Sequence, residues 1–246
     1  KAGRPDLFYT EFTNVEGLCS KGRSQVAHRL LHTDTEQPLV AQIWGSDPKH
    51  FYTVAQELAV AGFAGIDINM GCPDRSVVRR GQCSGLINNP GLAAEIIAAT
   101  KQGAGTLPVS VKTRCGLSSW VTEDWLGFLL QQQLDALIIH GRIAKERSHF
   151  PARWEEIAKA VPLRNQLAPQ TILIGNGDVS SYQNGLDNIS QTGIDGVRVG
   201  RGRGQNPGGG NPAINPSQVN LANRIELLTY HLQLFKDWWD INGQIN

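Results

Sequence analysis

Short apolar runs rich in β-branched residues alternate along the chain with longer segments whose apolar residues recur every three or four positions. The short runs have the length and composition of β-strands. The segment Pro48–Ala61 shows the helical pattern most clearly, with Phe51, Val54, Ala55 and Leu58 on one stripe. Strands are predicted at Leu7–Thr10, Leu39–Trp44, Gly65–Met70, Val109–Arg114, Ala136–His140, Thr171–Gly175 and Gly196–Val199. This alternation predicts an α/β fold with a parallel sheet covered by helices.

Further helices are predicted between and after these strands. They are expected at Leu92–Lys101, Glu123–Gln132, Trp154–Ala160, Ser181–Gln191 and Leu221–Trp239. The last helix follows a glycine-rich segment, 200–212, and carries a long apolar stripe. Packing of this helix on the sheet domain is the favoured interpretation. The alternative is the start of a helical appendage that continues beyond residue 246.

Almost every predicted strand ends on a polar or reactive side chain. These residues are Glu11, Gln42, Asn69, Cys72, Lys112, Arg114, His140, Arg142, Asn176, Asp178 and Arg201. A (β/α)8 barrel assembles its active site from the C-terminal ends of many strands, whereas an open doubly wound sheet usually binds ligands only where the strand order reverses. The pattern therefore favours a TIM-type barrel over an open sheet. Because only seven strand–helix units are recognised, we expect a barrel that lacks its first βα unit.

Composition narrows the classes of function. The 246-residue chain has 23 Lys and Arg against 22 Asp and Glu, so its net charge of +1 excludes binding of nucleic acid by bulk charge but allows a local basic patch. Its four cysteines form no CxxC pair and have no histidines at zinc-ligand spacing, so we expect reduced thiols, a cytoplasmic protein and no metal site. No apolar run is long enough to span a bilayer, and no membrane association is expected.

Cys72 is the leading catalytic candidate. It lies between Gly71 and Pro73 at a strand end, where a thiol would point into the mouth of a barrel. An ordinary thiol, with a pKa of about 8.5, is mostly protonated at pH 7 and is able to donate a proton. The alternative for an isolated cysteine is a small buried hydrophobe, and the other three cysteines are interpreted as structural. The polar segment that follows, with Arg75 and Arg79, is typical of a lid or substrate clamp.

Two further sets of strand ends suggest ligand contacts. Lys112 and His140 end apolar strands, where a cation or an imidazole needs a partner, and both are candidates for contact with an electron-rich ligand. Glycine-rich strand ends at Gly175–Asp178 and at Gly200 predict a phosphate site, because TIM barrels commonly bind phosphate after their last two strands. Arg201 adds a guanidinium to the second of these loops.

Six segments together resemble the tRNA-dihydrouridine synthase family. They are VAQIWG, IDINMGCPDRSVVRRGQCSGLINNP, VSVKTR, IIHGR, IGNGDV and VGRG, and they follow in family order from about Phe8 to Gly202. The GCP segment followed by the HGR and NGD strand ends is the most specific part. The resemblance implies an FMN-dependent TIM barrel that reduces specific uridines in tRNA to 5,6-dihydrouridine, with NADPH reducing the flavin. It also implies that residues 1–204 form the catalytic barrel and that residues 205–246 form a linker and the first helix of a partial tRNA-binding domain.

The resemblance assigns roles to individual residues. The reduced flavin gives hydride to C6 of the uracil, and Cys72 gives a proton to C5. Cofactor-binding positions are Gln42, Lys112, His140, Asn176, Asp178, Gly200 and Arg201. Substrate positions are Asn69 and Arg142, and Arg75 adds positive charge for phosphates. The partners implied are tRNA and NADPH, and no stable protein partner is expected.

Two other functions are compatible with the same residues. One is another FMN barrel that reduces a small pyrimidine or an enoate, and the other is a non-catalytic RNA-binding remnant. The arginines around the GCP segment favour a polyanionic substrate. The chain also departs from the family pattern, because it begins at what resembles the second strand and lacks the Ala-Pro-Met segment that the family places under the flavin.

Overall fold

Eight strands form in the part of the chain that the structure describes, a computed structural model covering residues 4–200 and 221–242. They are β1 (Phe8–Tyr9), β2 (Thr13–Asn14), β3 (Leu39–Trp44), β4 (Gly65–Met70), β5 (Val109–Arg114), β6 (Ala136–His140), β7 (Ile172–Asn176) and β8 (Gly196–Arg198). The four central strands, β3 to β6, are rich in Val and Ile, which fit a pleated surface that is buried on both faces.

All strand pairs are parallel and belong to one sheet. The order is β1-β3-β4-β5-β6-β7-β8, and β2 also pairs with β3. Within the described residues, β1 and β8 share no strand-to-strand hydrogen bonds and are the two ends of the sheet. The guanidinium of Arg198 in β8 nevertheless lies 3.7 Å from the ring centroid of Tyr9 in β1. The sheet therefore curves until its end strands meet through side chains, as in a TIM-type barrel.

Helices connect the strands and cover the outside of the sheet. They are α1 (Val15–Leu18), α2 (Ser24–Ala27), α3 (Pro48–Ala59), α4 (Arg75–Val78), α5 (Pro90–Ala104), α6 (Thr122–Gln131), α7 (Trp154–Ala158), α8 (Ala160–Leu167), α9 (Tyr182–Thr192) and α10 (Leu221–Asn242). Single turns of 3-10 helix occur at His28–Leu30, Asp34–Glu36 and Ala144–Glu146, and a longer one at Cys83–Asn88. Asp47 and Asn89 are the N-cap residues of α3 and α5. Their side chains accept backbone N–H bonds, and each helix has a proline as its first residue. These are ordinary start signals of helices.

The two faces of the sheet differ in chemistry. Residues on the outer face are apolar and pack against the helices, among them Ala41, Ile43, Ile66, Ile68, Val111, Leu137 and Ile139. Alternate residues of the same strands face the barrel interior and include Gln42, Asp67, Asn69, Ser110 and Lys112. The helix-facing core thus holds the strands in place while the interior presents polar groups.

The predicted elements agree closely with the observed ones. Four strands, β3 to β6, have the predicted bounds, and the other three predicted strands differ by one residue at one or both ends. The sequence analysis missed β2, α1, α2 and α4, which are too short to show a period. The helix predicted at Trp154–Ala160 ended too early, because α8 follows α7 and continues through Pro162. A proline is tolerated in the first turn of a helix, where its missing N–H has no partner to lose.

The last helix forms where it was predicted, but our interpretation that it packs on the barrel is wrong for its described side chains. Leu221, Ile225, Leu228 and Leu232 are all more than half exposed. The glycine-rich segment, the expected domain boundary near residue 204 and Arg201 lie outside the described residues.

The described residues include neither a candidate membrane span nor a candidate metal site. No helix in residues 4–200 and 221–242 has both the length and the apolar character needed to cross a membrane. The same ranges contain no group of three or more His, Cys, Asp or Glu side chains arranged to hold a metal ion.

Candidate active site at the carboxyl ends of the strands

The parallel register brings the predicted strand-end residues to one rim of the sheet. Asn69 of β4 is the register partner of Lys112 of β5. In the next row, Arg114 of β5 lies beside His140 of β6, which lies beside Asn176 of β7. Residues predicted from separate segments of the chain therefore face a common space at the mouth of the barrel.

A buried carboxylate organises the floor of this space. Asp67 is fully buried and accepts hydrogen bonds from Gln42 Nε2 at 2.5 Å, Ser110 Oγ at 2.7 Å and Arg198 at 3.1 Å. Three donors, one of them charged, compensate for the burial of the charge. The sequence analysis did not single out Asp67, although an acidic residue inside an apolar strand is a usable signal. Because Gln42 donates to Asp67 through Nε2, its Oε1 is available to accept a hydrogen bond from Asn69 Nδ2, 3.4 Å away.

Asn69 shapes the loop that carries Cys72. Its Oδ1 accepts hydrogen bonds from the backbone N–H groups of Gly71 and Cys72, both at 3.0 Å. The carbonyl oxygen of Cys72 in turn accepts from the hydroxyl of Ser84 at 2.8 Å. The loop is therefore fixed from both sides, and Asn69 acts on the position of Cys72 through the backbone.

The Cys72 thiol does not have the ordinary pKa that we expected. Its pKa is lowered to about 6, chiefly by a side-chain hydrogen bond with Cys83, and partial burial opposes this effect. The same bond, together with burial, strongly raises the pKa of Cys83. At pH 7 the pair therefore holds one proton, with negative charge favoured on Cys72. Cys83, which we had interpreted as structural, is thus the group with the largest effect on the pKa of the leading catalytic candidate.

Lys112 is the least compensated cation of the site. Burial lowers the pKa of its ammonium to about 7, and the nearby charges of Arg198 and Arg114 lower it further. Among residues 4–200 and the described part of α10, none accepts a hydrogen bond from Lys112 Nζ. A half-buried ammonium at a strand end, with no hydrogen-bond acceptor among the described residues, is a ready contact for an electron-rich group of a ligand.

Arg114 ties two of the rim loops together. It is 6% exposed, and it donates to the carbonyl oxygens of Gly71 at 2.8 Å, Ile143 at 3.2 Å and Arg147 at 2.9 Å. Burial lowers its pKa to about 10, so it remains charged at neutral pH. The loop after β4 and the loop after β6 are held at a fixed separation by one guanidinium.

Arg142 has surroundings that differ from those we expected for a substrate contact. It is 2% exposed, and its guanidinium donates to both carboxylate oxygens of Asp178, at 2.7 and 2.5 Å. It also donates to the carbonyl oxygen of Phe150 and lies 2.8 Å from His140 Nε2. Arg142 therefore orients His140 and Asp178, two of the predicted cofactor positions, from beneath the rim.

The predicted phosphate end is described only in part. Asn176 Nδ2 donates to the carbonyl oxygen of Arg198 at 2.8 Å, which joins the ends of β7 and β8. Gly177 has a φ of 128°, and a Cβ there would come within 2.5 Å of Ala152. Gly200 is exposed, and no atom lies within 4 Å of a Cβ built on it. The first loop thus requires its glycine for its own fold.

A cationic pocket lies beside the Cys72 loop. It has a volume of about 260 Å³ and is bordered by Pro73 and by four basic residues, Arg75, Arg79, Lys145 and Arg147. Leu117, Ser118, Val78 and Ala144 complete its lining. The loops after β4, β5 and β6 therefore join to form a positively charged surface at the rim, although the net charge of the chain is only +1.

The residues of the rim fit a bound flavin. Lys112 supplies an ammonium from which no described residue accepts a hydrogen bond, and Gln42 supplies an amide whose orientation is fixed by Asp67. These are the kinds of group that set the electronics and the position of such a cofactor.

The amino-acid sequence matches one family model and is similar to several named proteins. A family model described as Dihydrouridine synthase (Dus) matches residues 1–237. A protein of Staphylococcus aureus (strain MRSA252) named "Probable tRNA-dihydrouridine synthase" is 45% identical over 242 residues, which cover 97% of this chain and 72% of the relative. A Bacillus subtilis (strain 168) protein named "Probable tRNA-dihydrouridine synthase 2" is 43% identical over 97% of this chain and 73% of its own length.

Comparison with solved structures supports the fold. The old yellow enzyme homologue from Zymomonas mobilis matches with a TM-score of 0.53 at 13% identity, over 82% of this chain and 77% of that one. A morphinone reductase mutant in complex with tetrahydroNAD matches with a TM-score of 0.55 at 14% identity, over 88% of this chain and 78% of that one. At such low identity the similarity concerns the α/β barrel fold alone, and it confirms the predicted fold class.

Proposed function

Since this chain belongs to the dihydrouridine synthase family, we propose that it reduces specific uridines in tRNA to 5,6-dihydrouridine, with FMN as its flavin and NADPH as the reductant. Bound FMN, once reduced by NADPH, would supply the hydride that adds to C6 of the uracil. The protein has three tasks in this reaction. It holds the flavin, delivers a proton to C5, and draws the target base out of the folded tRNA.

Three side chains of the described rim would hold the flavin ring. Lys112 would place its ammonium against the electron-rich side of the ring, where negative charge is favoured. Gln42, oriented by Asp67, would contact the polar edge of the ring. His140 would pack beside it in the orientation set by Arg142. Asn176, Asp178, Gly200 and Arg201 are the residues that we propose for the ribityl and phosphate end.

Cys72 would act as the general acid. Addition of hydride to C6 leaves an electron pair delocalised over C5 and O4 of the uracil, and C5 then takes a proton from Cys72 Sγ–H, which becomes a thiolate. The partly exposed sulfur at the rim, on a loop fixed by Asn69 and Ser84, supports this role. Because its pKa is near 6, only a minor fraction of Cys72 is protonated at pH 7, and proton delivery should become slower as the pH rises.

The tRNA would meet the positively charged surface beside this loop. A uridine within folded tRNA must leave its stack to reach the barrel mouth, and a base that is drawn out in this way needs its flanking phosphates held. The pocket bordered by Arg75, Arg79, Lys145 and Arg147 provides that charge. Asn69, at the floor, is placed to act on the base or on the Cys72 loop. Residues 205–246 would extend the tRNA contact, and a tRNA substrate would place the protein in the cytoplasm.

The observation that carries this proposal is the meeting of Cys72 and the Lys112 ammonium at one rim in a chain of this family. The test begins with the absorbance spectrum of the purified protein after FMN is added and excess is removed. Unmodified tRNA transcripts, free uridine and a small enoate are then offered with NADPH or NADH, and dihydrouridine is measured by mass spectrometry of digested tRNA. We expect retained flavin and dihydrouridine formation in tRNA alone.

Three results would contradict the proposal. Reduction of the free pyrimidine or the enoate but not of tRNA would favour another flavin barrel. Binding of tRNA without retention of flavin would favour an RNA-binding protein without catalysis. Equal turnover by Cys72→Ala and the unchanged protein would remove Cys72 as the proton donor, while leaving the rest of the proposal in place.

A further inference from the structure

A chain of hydrogen bonds leads from the floor of the barrel to the loop that carries Cys72. Gln42 Nε2 donates to Asp67 Oδ2 at 2.5 Å, and Asn69 Nδ2 donates to Gln42 Oε1 at 3.4 Å. The backbone N–H groups of Gly71 and Cys72 donate to Asn69 Oδ1, both at 3.0 Å. The three side chains that form this chain are buried, so water competes little for their hydrogen bonds.

Every donor in this chain points toward Asp67. An ionised carboxylate only accepts hydrogen bonds, so Gln42 must present its Nε2 rather than its oxygen to Asp67. The amide oxygen of Gln42 then faces Asn69, which has to present Nδ2 in turn. The oxygen of Asn69 is thereby directed at the backbone N–H groups of the Cys72 loop. Because an amide has a donor end and an acceptor end, the carboxylate orients two amides in succession.

The carboxylate of Asp67 is itself held by two other strands. Ser110 Oγ of β5 donates to Asp67 Oδ1 at 2.7 Å, and Arg198 Nη1 of β8 donates to Asp67 Oδ2 at 3.1 Å. The guanidinium carbon of Arg198 lies 3.7 Å from the ring centroid of Tyr9 in β1. The acceptor that faces Gln42 is therefore fixed in place by the sheet itself.

We propose that Asp67 is a positioning residue of the active site, which as a fixed acceptor orients the Gln42 amide and, through Asn69, the backbone of the Cys72 loop. The inference rests on the proposed function only in so far as Gln42 contacts the flavin and Cys72 gives the proton. Asp67 transfers no proton and acts through its neighbours. One carboxylate would thus set both the flavin contact and the proton donor, which is the kind of preorganisation that catalysis requires.

The ion pair with Arg198 is a separate property of Asp67. Replacement of a buried ion pair by apolar residues of similar volume is often neutral or stabilising, so the barrel does not need the pair in order to fold. The buried amide of Gln42, by contrast, needs an acceptor whether or not that acceptor is charged. The positioning role therefore depends on the oxygen of Asp67, and the negative charge is needed only while Arg198 is present.

The test compares two double variants that differ only in this acceptor. Asp67→Asn with Arg198→Met keeps an oxygen toward Gln42, and its new amide N–H groups face the hydroxyl of Ser110, which is able to accept. Asp67→Leu with Arg198→Met has a similar shape but no acceptor. Both variants lack the ion pair, and the methionine side chain can pack on the ring of Tyr9 in place of the guanidinium.

The measurement is the solvent exchange of cysteine amide protons by NMR, in the full chain labelled with 15N-cysteine and free of flavin and tRNA. The Cys72 signal is identified by its loss in Cys72→Ser. We expect the Cys72 amide to exchange about threefold to tenfold faster in the leucine double variant, which is the effect of losing about one net hydrogen bond, and within about twofold of the unchanged rate in the asparagine double variant. The amide of Cys115, which donates to the carbonyl oxygen of Arg142 at 3.1 Å, is the control for general loosening of the fold.

A second variant breaks the chain one link further along. Gln42→Met leaves the carboxylate of Asp67 with Arg198 but removes the acceptor of Asn69 Nδ2. It should speed exchange of the Cys72 amide as the leucine double variant does, even if that double variant folds poorly.

The outcomes separate this inference from the proposed function. An unchanged Cys72 exchange rate in both Gln42→Met and the leucine double variant would overturn the role of Asp67. Equal acceleration in the two double variants would overturn it as well, and so would equal acceleration of the Cys115 amide. Because the exchange is measured without flavin or tRNA, a failure to bind FMN or to reduce tRNA would contradict the proposed function and leave this result intact.

Discussion

Replacement of Lys112 by methionine should stabilise the protein without flavin and weaken its binding of FMN. The fold lowers the pKa of this ammonium from 10.5 to about 7 because burial disfavours its charge, and no described residue accepts a hydrogen bond from it. One pKa unit corresponds to about 1.4 kcal/mol, so the whole effect would be about 5 kcal/mol. Because the side chain is only half-buried and water screens part of the charge, we expect Lys112→Met to raise the free energy of unfolding by about 2 kcal/mol at pH 6.5.

The effect of Lys112→Met on the free energy of unfolding should depend on pH. Below about pH 7, Lys112 is charged in both the folded and the unfolded protein, and the full cost of burying the charge is present. Between about pH 7 and 10.5 the unfolded chain binds a proton that the folded protein has released, so the stability of the unchanged protein rises with pH relative to the variant. At pH 9.5 the gain in the free energy of unfolding from Lys112→Met should therefore be smaller than at pH 6.5.

Urea unfolding followed by tryptophan fluorescence measures both points, with Lys49→Met, on the exposed start of α3, as the control. The reasoning would be refuted if Lys112→Met did not raise the free energy of unfolding at pH 6.5, or if the increase at pH 9.5 were as large as at pH 6.5. Excess FMN should stabilise the unchanged protein more than the Lys112→Met variant, because at a given ligand concentration the stabilisation of the folded state increases as the dissociation constant falls. Equal FMN affinity in the two proteins would place the flavin away from Lys112.

The remaining predictions concern proton transfer, tRNA binding and the rim. Cys72→Ala should lower uridine reduction about 10²–10⁴-fold in single-turnover assays while FMN and tRNA affinities, measured by titration, stay within about twofold. In the unchanged enzyme, the rate of the proton-transfer step should fall as the pH rises through about 6, because the Cys72 proton is lost, and a rate that rises over this range would contradict the role. Arg147→Ala should weaken tRNA binding and reduce its salt dependence by about one counterion, whereas Lys101→Ala, at the far end of α5, should not. Asp178→Asn should lower the free energy of unfolding by about 2 kcal/mol in urea titrations, because the buried Arg142 loses its carboxylate, and unchanged stability would show that water or other groups replace it.

Local sequence patterns determined the elements and the location of the candidate site. Runs of β-branched residues predicted β3 to β6 at their observed bounds, because strand formation in a doubly covered sheet needs only a short apolar segment. Parallel strands carry their C-terminal residues to one rim, so the neighbourhood of Asn69, Lys112 and His140 followed from their positions at strand ends. The short elements β2, α1, α2 and α4 were missed, because two to four residues are too few to show a repeating pattern.

The chemical state of that site was decided by the tertiary structure. The sequence contains Cys72 and Cys83 in one loop, but nothing in their spacing indicates that Cys83 lowers the pKa of Cys72 to about 6. The partners of Asp67 include a residue 131 positions away, and those of Arg142 include one 36 positions away. Burial, hydrogen bonding and electrostatic interaction depend on distances in space, so the types of the residues could be read from the chain, whereas their charges and orientations arise only when the barrel brings them together.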